Sequence, residues 1–470
     1  MRKKAYTIRG VDAFYRNSPI PIQNLMFSGY GVLKALNYYS PIFRKRLAYL
    51  EKTQWMRPDE IQRIQLENLR KVTKHAYENV PYYHSLFRVL DLKPGDIKGF
   101  GDLQKIPPLT KRIVMEHRKD LMATNASSFR PRQFNTGGTT GNPLQFYMDR
   151  EMFLLRDAEK YRHWRAHGYR FRDKMVTLRG RALITEKGGS SVPWRHDHVQ
   201  NFLFLSSYHL NGEHMDRYHE LLLKWKPKYL QAYPSAAYIL ASHFLKKETH
   251  IRLKCVFTSS EMVLPKYRST IEEAFGCDVV DHYGHGEPGT WISGQCLEHN
   301  HHLSAELSYM EFLRDGEVVP HGEKGEILDT SLTNYSMPFI RFRIGDIGRL
   351  SLDECPCGRG LPIIAEIEGR SDDFIVTAEG ESIPPPALTL TYEFILNIRQ
   401  CQFIQESQNE VTVRIVREPG YNDSDTEEFM KKLKATIGTQ TDIHFDFVDR
   451  IPLTRGGKFR FIIRNDKRET

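Results

Sequence analysis

The sequence contains no run approaching the ~20 consecutive apolar residues that a membrane-spanning helix requires, so an integral membrane protein is not expected. The first residues, Met1 to Tyr15, are basic and lack the continuous apolar stretch of a secretory signal, which points to a cytoplasmic protein. Cysteine is scarce. Six in 470 residues, without a secretion signal, argue for thiols or metal ligands rather than a disulfide framework. Extended arginine–lysine blocks and interleaved aromatic ladders are also missing, so the net charge of +9 does not point to nucleic acid. A basic surface suits nucleoside triphosphates, CoA or an anionic membrane face equally well. No internal repeat or low-complexity tract breaks the chain.

What is present is enough apolar material, 40% of residues, to fill more than one core, and the length argues for two or more domains. From Pro58 to Leu90 apolar residues recur at helical spacing (Ile61, Ile64, Leu69, Val72, Ala76), which predicts amphipathic helices closing near Pro81. Between Phe134 and Gly369, β-branched runs such as Met175–Leu178 and Val256–Thr258 alternate with helical patterns at 215–225 and 236–245. That alternation predicts a layered α/β body. Beyond Asp373 come Pro384-Pro385-Pro386, a period-two run from Val411 to Val416, a helix at 426–437 and a strand at 443–448. These make a small α+β unit, with the boundary near Ser371: a large domain of residues 1–370 and a small one of 371–470. Leu25 to Leu36, apolar with a few glycines, reads as packing against the large domain rather than as a membrane or partner contact.

The most informative stretch is Asn135-Thr136-Gly137-Gly138-Thr139-Thr140-Gly141-Asn142-Pro143. Its glycines let the backbone approach a ligand, and its threonines offer hydroxyls to phosphate oxygens. No Gly-Lys-Ser/Thr follows, so it is not a Walker loop. Five segments follow in order: Ser259-Ser260-Glu261, Tyr283-Gly284-His285-Gly286-Glu287, Arg341 to Asp346, Gly369-Arg370-Ser371-Asp372-Asp373, and Pro452 to Lys458. With Ala76 to Tyr83, Asp102-Leu103 and Pro107 to Lys111 upstream, this set resembles the superfamily of acyl-CoA synthetases, luciferases and peptide-synthetase adenylation domains. Within it the likeness is to the phenylacetate-CoA ligase family, from about Pro58 to Arg464.

The resemblance implies a large layered domain, a small mobile C-terminal domain, and activation of a carboxylate by ATP and Mg²⁺ as an acyl-AMP. Thr136, Gly137, Gly138, Thr139, Thr140 and Gly141 would hold the β- and γ-phosphates, with Ser260 and Glu261 in the same nucleotide site. Tyr283 and Gly284 would flank adenine, Glu287 would ligate magnesium, and Asp346 would accept the ribose hydroxyls. Arg370 would contact ribose or phosphate, and Asp372 would be the hinge about which the small domain swings. Lys458, beside Gly456-Gly457, matches the catalytic lysine that stabilises charge on the phosphoryl oxygens as pyrophosphate leaves.

Cys355-Pro-Cys357-Gly is too tightly spaced for a mutual disulfide but suits two thiolates on one tetrahedral metal. Cys296 and one of His299, His301 and His302 would complete a Cys₃His zinc site, and the family resemblance favours His302. Four protein ligands leave no open position, so its role would be to pin a loop. Cys255, Cys277 and Cys401 read as core thiols.

Three departures from the family pattern narrow the expectation. Gly137 stands where a serine is usual. His285-Gly286 replaces an apolar residue and a serine, which argues against an aromatic acid; His285 would either bind a polar group of the acid or simply pack. The segment from Ile22 through Tyr30-Gly31 to Gln54-Trp55 resembles the CapK branch, whose members accompany capsular and exopolysaccharide synthesis, so CoA or a sugar amine or hydroxyl is the expected acceptor. Peripheral membrane attachment or a polysaccharide-synthesis complex fits that setting. Two other readings stand beside it: an adenylyltransferase that leaves AMP on its acceptor, and a non-catalytic nucleotide-binding scaffold.

Overall fold

Four strands read as nearly unbroken apolar runs, Met175–Arg179, Phe202–Ser206, Tyr229–Ala232 and Cys255–Ser259, and each is buried along almost all of its length. Such runs belong to parallel strands covered on both faces. In the computed structural model these four, with Val279–Gly284, form the parallel centre of a 13-stranded sheet. The structure describes Tyr15 and residues 18–135, 144–180, 192–210, 212–285, 291–370, 374–378, 382–383, 385–392, 395, 397–454 and 457–465.

Alternate residues of these strands feed two cores. Val176, Leu178, Leu203, Leu205, Leu230 and Val256 pack with helices Gly212–Trp225, Pro234–Lys246 and Pro265–Phe275 on one face. Met175, Phe202, Phe204, Tyr229 and Phe257 pack on the other with Arg150–Ala166 and Pro41–Thr53. Beyond Val279–Gly284 the sheet turns antiparallel, running through Trp291–Gln295, His301–Leu303, Ile363–Arg370, Phe342–Leu350, Gly325–Ser331 and Ser308–Arg314 to Glu317–Val318. At the opposite edge lies the antiparallel strand Trp194–Asp197.

The expected helices are found at Pro58–Asn79 and Pro81–Val89. Pro58 opens the first with Asp59 and Glu60 in its first turn, favourable beside the positive end of the helix dipole. Pro81 ends it, because proline cannot donate the next helical hydrogen bond. The C-terminal unit is a four-stranded sheet in the order Asp442–Phe447, Glu410–Arg417, Ile398–Ser407, Ile462–Arg464, with helix Asp423–Ile437 buried against it.

One expectation holds for one face only. Helix Ile20–Tyr39 packs on the large domain through Gln23, Phe27, Ser28 and Gly31, with the Phe27 ring 5.0 Å from that of Phe204, whereas Leu25, Val32, Leu33 and Leu36 are exposed.

Candidate active site

Parallel sheets place their functional groups at the carboxyl ends of the strands, beside the point where the strand order reverses. Here that reversal falls at Met175–Arg179, which has Phe202–Ser206 on one side and Tyr229–Ala232 on the other. Arg179, Ser206-Ser207, Tyr233, Ser259 and Tyr283-Gly284 stand at the ends of five neighbouring strands.

Onto this edge the C-terminal unit presents Thr454 and residues 457–459. Thr454 and Lys458 close a tight turn, in which Thr454 N donates to Lys458 O at 2.8 Å and Lys458 N to Thr454 Oγ1 at 3.1 Å. The turn is held to the large domain by Ser207 Oγ, which donates to Gly457 O at 3.0 Å, and by Phe459 N, which donates to Glu261 Oε1 at 2.7 Å. Gly457 has φ +72°, and a Cβ there would stand 2.3 Å from Gly180 Cα, so two glycines let the backbones meet. Lys458 Nζ lies 6.0 Å from the Tyr233 ring centroid, and the Arg179 guanidinium lies 5.2 Å from the same ring. Two cations therefore converge at the switch point, a field suited to phosphoryl oxygens.

Glu261 accepts from Ser235 N at 3.1 Å with its other oxygen. Burial raises its carboxyl, and the Ser235 and Phe459 donors and the Lys458 ammonium pull it back. Oε1 thus holds the Lys458 turn, and Oε2 ties the same carboxylate to the start of helix Pro234–Lys246. Ser260 beside it is an exposed residue with φ +72°.

Tyr283 and Asp346, 63 residues apart in sequence, meet: Tyr283 Oη donates to Asp346 Oδ2 at 2.5 Å. Asp346 comes from Phe342–Leu350 and pairs across the sheet with Arg370, so the expected adenine and ribose positions share one end of the site. Next to them His285 Nε2 lies 3.3 Å from Asp329 Oδ2, both buried, with the His285 ring stacked on Phe342. Thr136 to Gly141, Glu287 and Asp372 lie outside the described residues, as does the side chain of Arg370. The stem of the first loop is a hairpin in which Asn135 pairs with Gln145.

Arg179, Tyr233 and Asp329 went unnoticed in the sequence. A cation closing an apolar run and followed by glycine, as in Arg179-Gly180, was the available signal for the first. Asp329 carried none.

The metal cluster assembles as expected. Cys296, His302, Cys355 and Cys357 bring their ligand atoms within 4.8 Å of one another. Cys296 Sγ is 3.6 Å from Cys355 Sγ, and Cys357 Sγ is 3.2 Å from His302 Nε2. His302 Nδ1 faces Leu361 O at 3.3 Å, the outer contact that leaves Nε2 to a metal. Burial lowers His302 to about 4, so the ring is neutral, as a ligand must be. The other two histidines are placed elsewhere: His301 Nδ1 is 3.2 Å from Ser293 Oγ, and His299 stands in the turn between Cys296 and Asn300 at φ +57°.

Comparison with known proteins agrees with this architecture. Residues 375–465 match the family model of the CapK C-terminal domain. Protein CapK of Staphylococcus aureus is 26% identical over 97% of this chain and 100% of its own length. A phenylacetate-coenzyme A ligase of Aromatoleum evansii is 26% identical over 84% of this chain and 92% of its own. Among solved structures, a 2-hydroxyisobutyryl-CoA ligase in the postadenylation state superposes with a TM-score of 0.72 at 21% identity, over 89% of this chain and 92% of that one. The same ligase in the thioesterification state, at 21% identity over 88% and 92% of the two chains, gives 0.58, so the arrangement of the domains here is nearer the former. In sequence and fold the chain is thus similar to adenylate-forming ligases of phenylacetate-CoA ligase type. Its C-terminal unit carries the likeness to CapK.

Proposed function

We propose that the protein joins a carboxylic acid to AMP at the expense of Mg-ATP and passes the acyl group to CoA or to an amine or hydroxyl acceptor. The observation that carries this reading is the Lys458 turn, seated beside Arg179 and Tyr233 at the strand ends. A carboxylate oxygen attacks the α-phosphorus, the bond to pyrophosphate breaks, and Lys458 and Arg179 stabilise the charge that gathers on the phosphoryl oxygens. Asp346, steadied by Tyr283, receives the ribose hydroxyls. Thr136 to Gly141 take the β- and γ-phosphates, Ser260 and Arg370 border the nucleotide, and Glu287 holds magnesium, which neutralises phosphate charge. Asp372 is the hinge about which residues 371–470 swing against residues 1–370 before the second half-reaction.

The buried His285–Asp329 pair supports an acid with a hydrogen-bonding group rather than a plain aromatic one. Likeness to CapK supports an acceptor in polysaccharide assembly, a sugar amine or hydroxyl, with CoA as the alternative carrier. Zinc at Cys296, His302, Cys355 and Cys357 pins two loops of the large domain and takes no part in the reaction.

Pyrophosphate exchange measured against a panel of carboxylic acids tests the reading. Hydroxy acids are expected to support exchange, and Lys458→Ala to lower it by roughly 10²–10³. Full exchange by the variant removes Lys458 from the mechanism. AMP retained on the acceptor, read by mass, makes the protein an adenylyltransferase instead.

A further inference from the structure

Helix Ile20–Tyr39 turns inward a side made of polar and small residues around Phe27, whose ring lies 5.0 Å from that of Phe204. Gln23 Oε1 accepts from Arg195 Nε at 2.6 Å, Asn24 Oδ1 from His196 N at 3.0 Å, and Ser28 Oγ from His198 N at 3.1 Å. Lys34, the helix's sole charged residue, donates to Asp157 Oδ2 at 2.9 Å. Gly31 lies so near Asp197 that a Cβ would stand 2.2 Å from its carboxylate. The helix thereby caps the backbone of the edge strand Trp194–Asp197, which would otherwise offer its N–H groups to another chain.

Its large aliphatic residues point the other way. Leu25 is 70% exposed, Leu33 64% and Leu36 65%, and Ile22 and Val32 continue the stripe at spacings of three and four. The stripe runs about 20 Å along the helix and extends to exposed Ile42 in Pro41–Thr53. Scattered exposed leucines are ordinary, whereas a continuous face of this kind marks a contact surface. Among the described residues no helix is long and apolar enough to cross a membrane, so this helix does not span one.

Charge identifies the occupant. The first 53 residues hold ten of the chain's 67 basic residues and two of its 58 acidic ones, a net +8, and the rest of the chain is left at +1. Exposed Arg44 and Lys45 stand beside Ile42 at the end of the stripe. Two copies meeting through this face would bring two such segments together, which like charge opposes. An apolar stripe flanked by cations, with its polar side already occupied, fits a surface that is apolar beneath and anionic above.

We propose that helix Ile20–Tyr39 docks in plane on an anionic phospholipid bilayer, with Leu25, Val32, Leu33 and Leu36 at the headgroup–acyl boundary and the basic residues against the phosphates. The docking is independent of which acid the enzyme activates.

Co-sedimentation of the full chain with vesicles decides the matter. The wild type is expected to pellet with mixed phosphatidylglycerol–phosphatidylcholine vesicles, to bind phosphatidylcholine alone far less, and to be released by salt. The triple variant Leu25→Glu/Leu33→Glu/Leu36→Glu is expected to lose binding about tenfold or more, and Arg44→Glu/Lys45→Glu to weaken it, each with its melting temperature and pyrophosphate exchange preserved. Equal pelleting of wild type and triple variant overturns the proposal. So does failure of the wild type to bind either vesicle, or a wild-type dimer in solution that the triple variant dissociates, which would make the face an interface between copies.

Discussion

Lys458 reaches the site only because its neighbours are held. Phe459 N donates to Glu261 and Gly457 O accepts from Ser207, so the ammonium is carried by a backbone fixed on both sides of it. A preorganised charge costs no reorientation when the phosphoryl group reacts, which is why such groups contribute so much to rate. A second buried acid has a consequence for stability. Burial raises the Asp281 carboxyl to about 7, against a hydrogen bond from Thr258 Oγ1 at 2.7 Å. A carboxyl whose folded value is raised contributes stability that is complete below its ordinary range near 3.8 and is lost as pH climbs to about 7. The melting temperature of the wild type relative to Asp281→Asn is therefore expected to fall between pH 5 and pH 8. A difference that stays flat across that range would falsify the assignment.

At the scale of elements, two short segments fasten parts of the chain that lie far apart in sequence. The Lys458 turn depends on Gly457, since any side chain there meets Gly180 and must also adopt φ +72°. Left-handed backbone costs an L-residue about 1–2 kcal/mol before the clash is counted. Gly457→Ala is expected to cut pyrophosphate exchange roughly ten- to a hundredfold while the melting temperature moves little; near-normal exchange would show that the docked turn is not the working one. The cysteine clip is the other segment, joining the turn at Cys296 to that at Cys355 and Cys357, 59 residues further on. Elemental analysis is expected to find one zinc per chain, lost in Cys355→Ser together with several degrees of melting temperature. A wild type that folds without metal would refute the clip.

Across the whole molecule the two units touch at a few polar points as well as at Phe461, which packs against both cores. Lys266 Nζ donates to Ile398 O at 3.2 Å, and Lys246 faces Glu418 at 3.8 Å. Contacts of this kind are cheap to break, since an exposed ion pair contributes about 0–1 kcal/mol. A swing between half-reactions requires that weakness. Joining Lys246→Cys to Glu418→Cys with a short thiol crosslinker is expected to leave pyrophosphate exchange intact and to abolish transfer to the acceptor. Transfer that survives the crosslink would show that the second half-reaction proceeds in the arrangement seen here.

Much of this was legible in the residue order. Unbroken apolar runs such as Cys255–Ser259 announced buried parallel strands, and Pro81 marked a helix end, because both effects are local. Ordered motifs singled out Tyr283, Asp346 and Lys458, which the fold brings to the strand ends, and Cys355-Pro-Cys357 pointed to the cluster that Cys296 and His302 complete. What only the tertiary structure decided concerns partners distant in sequence. It gave the physical reason for His302, which the family resemblance had already favoured: strand pairing aims that ring at the thiols. It joined Asp329 to His285, and gave Glu261 to the Lys458 turn. It also split the reading of Leu25 to Leu36: periodicity shows that a helix has two faces, but Phe27 and the hydrogen bonds of Gln23, Asn24 and Ser28 to the edge strand determine which face the body takes.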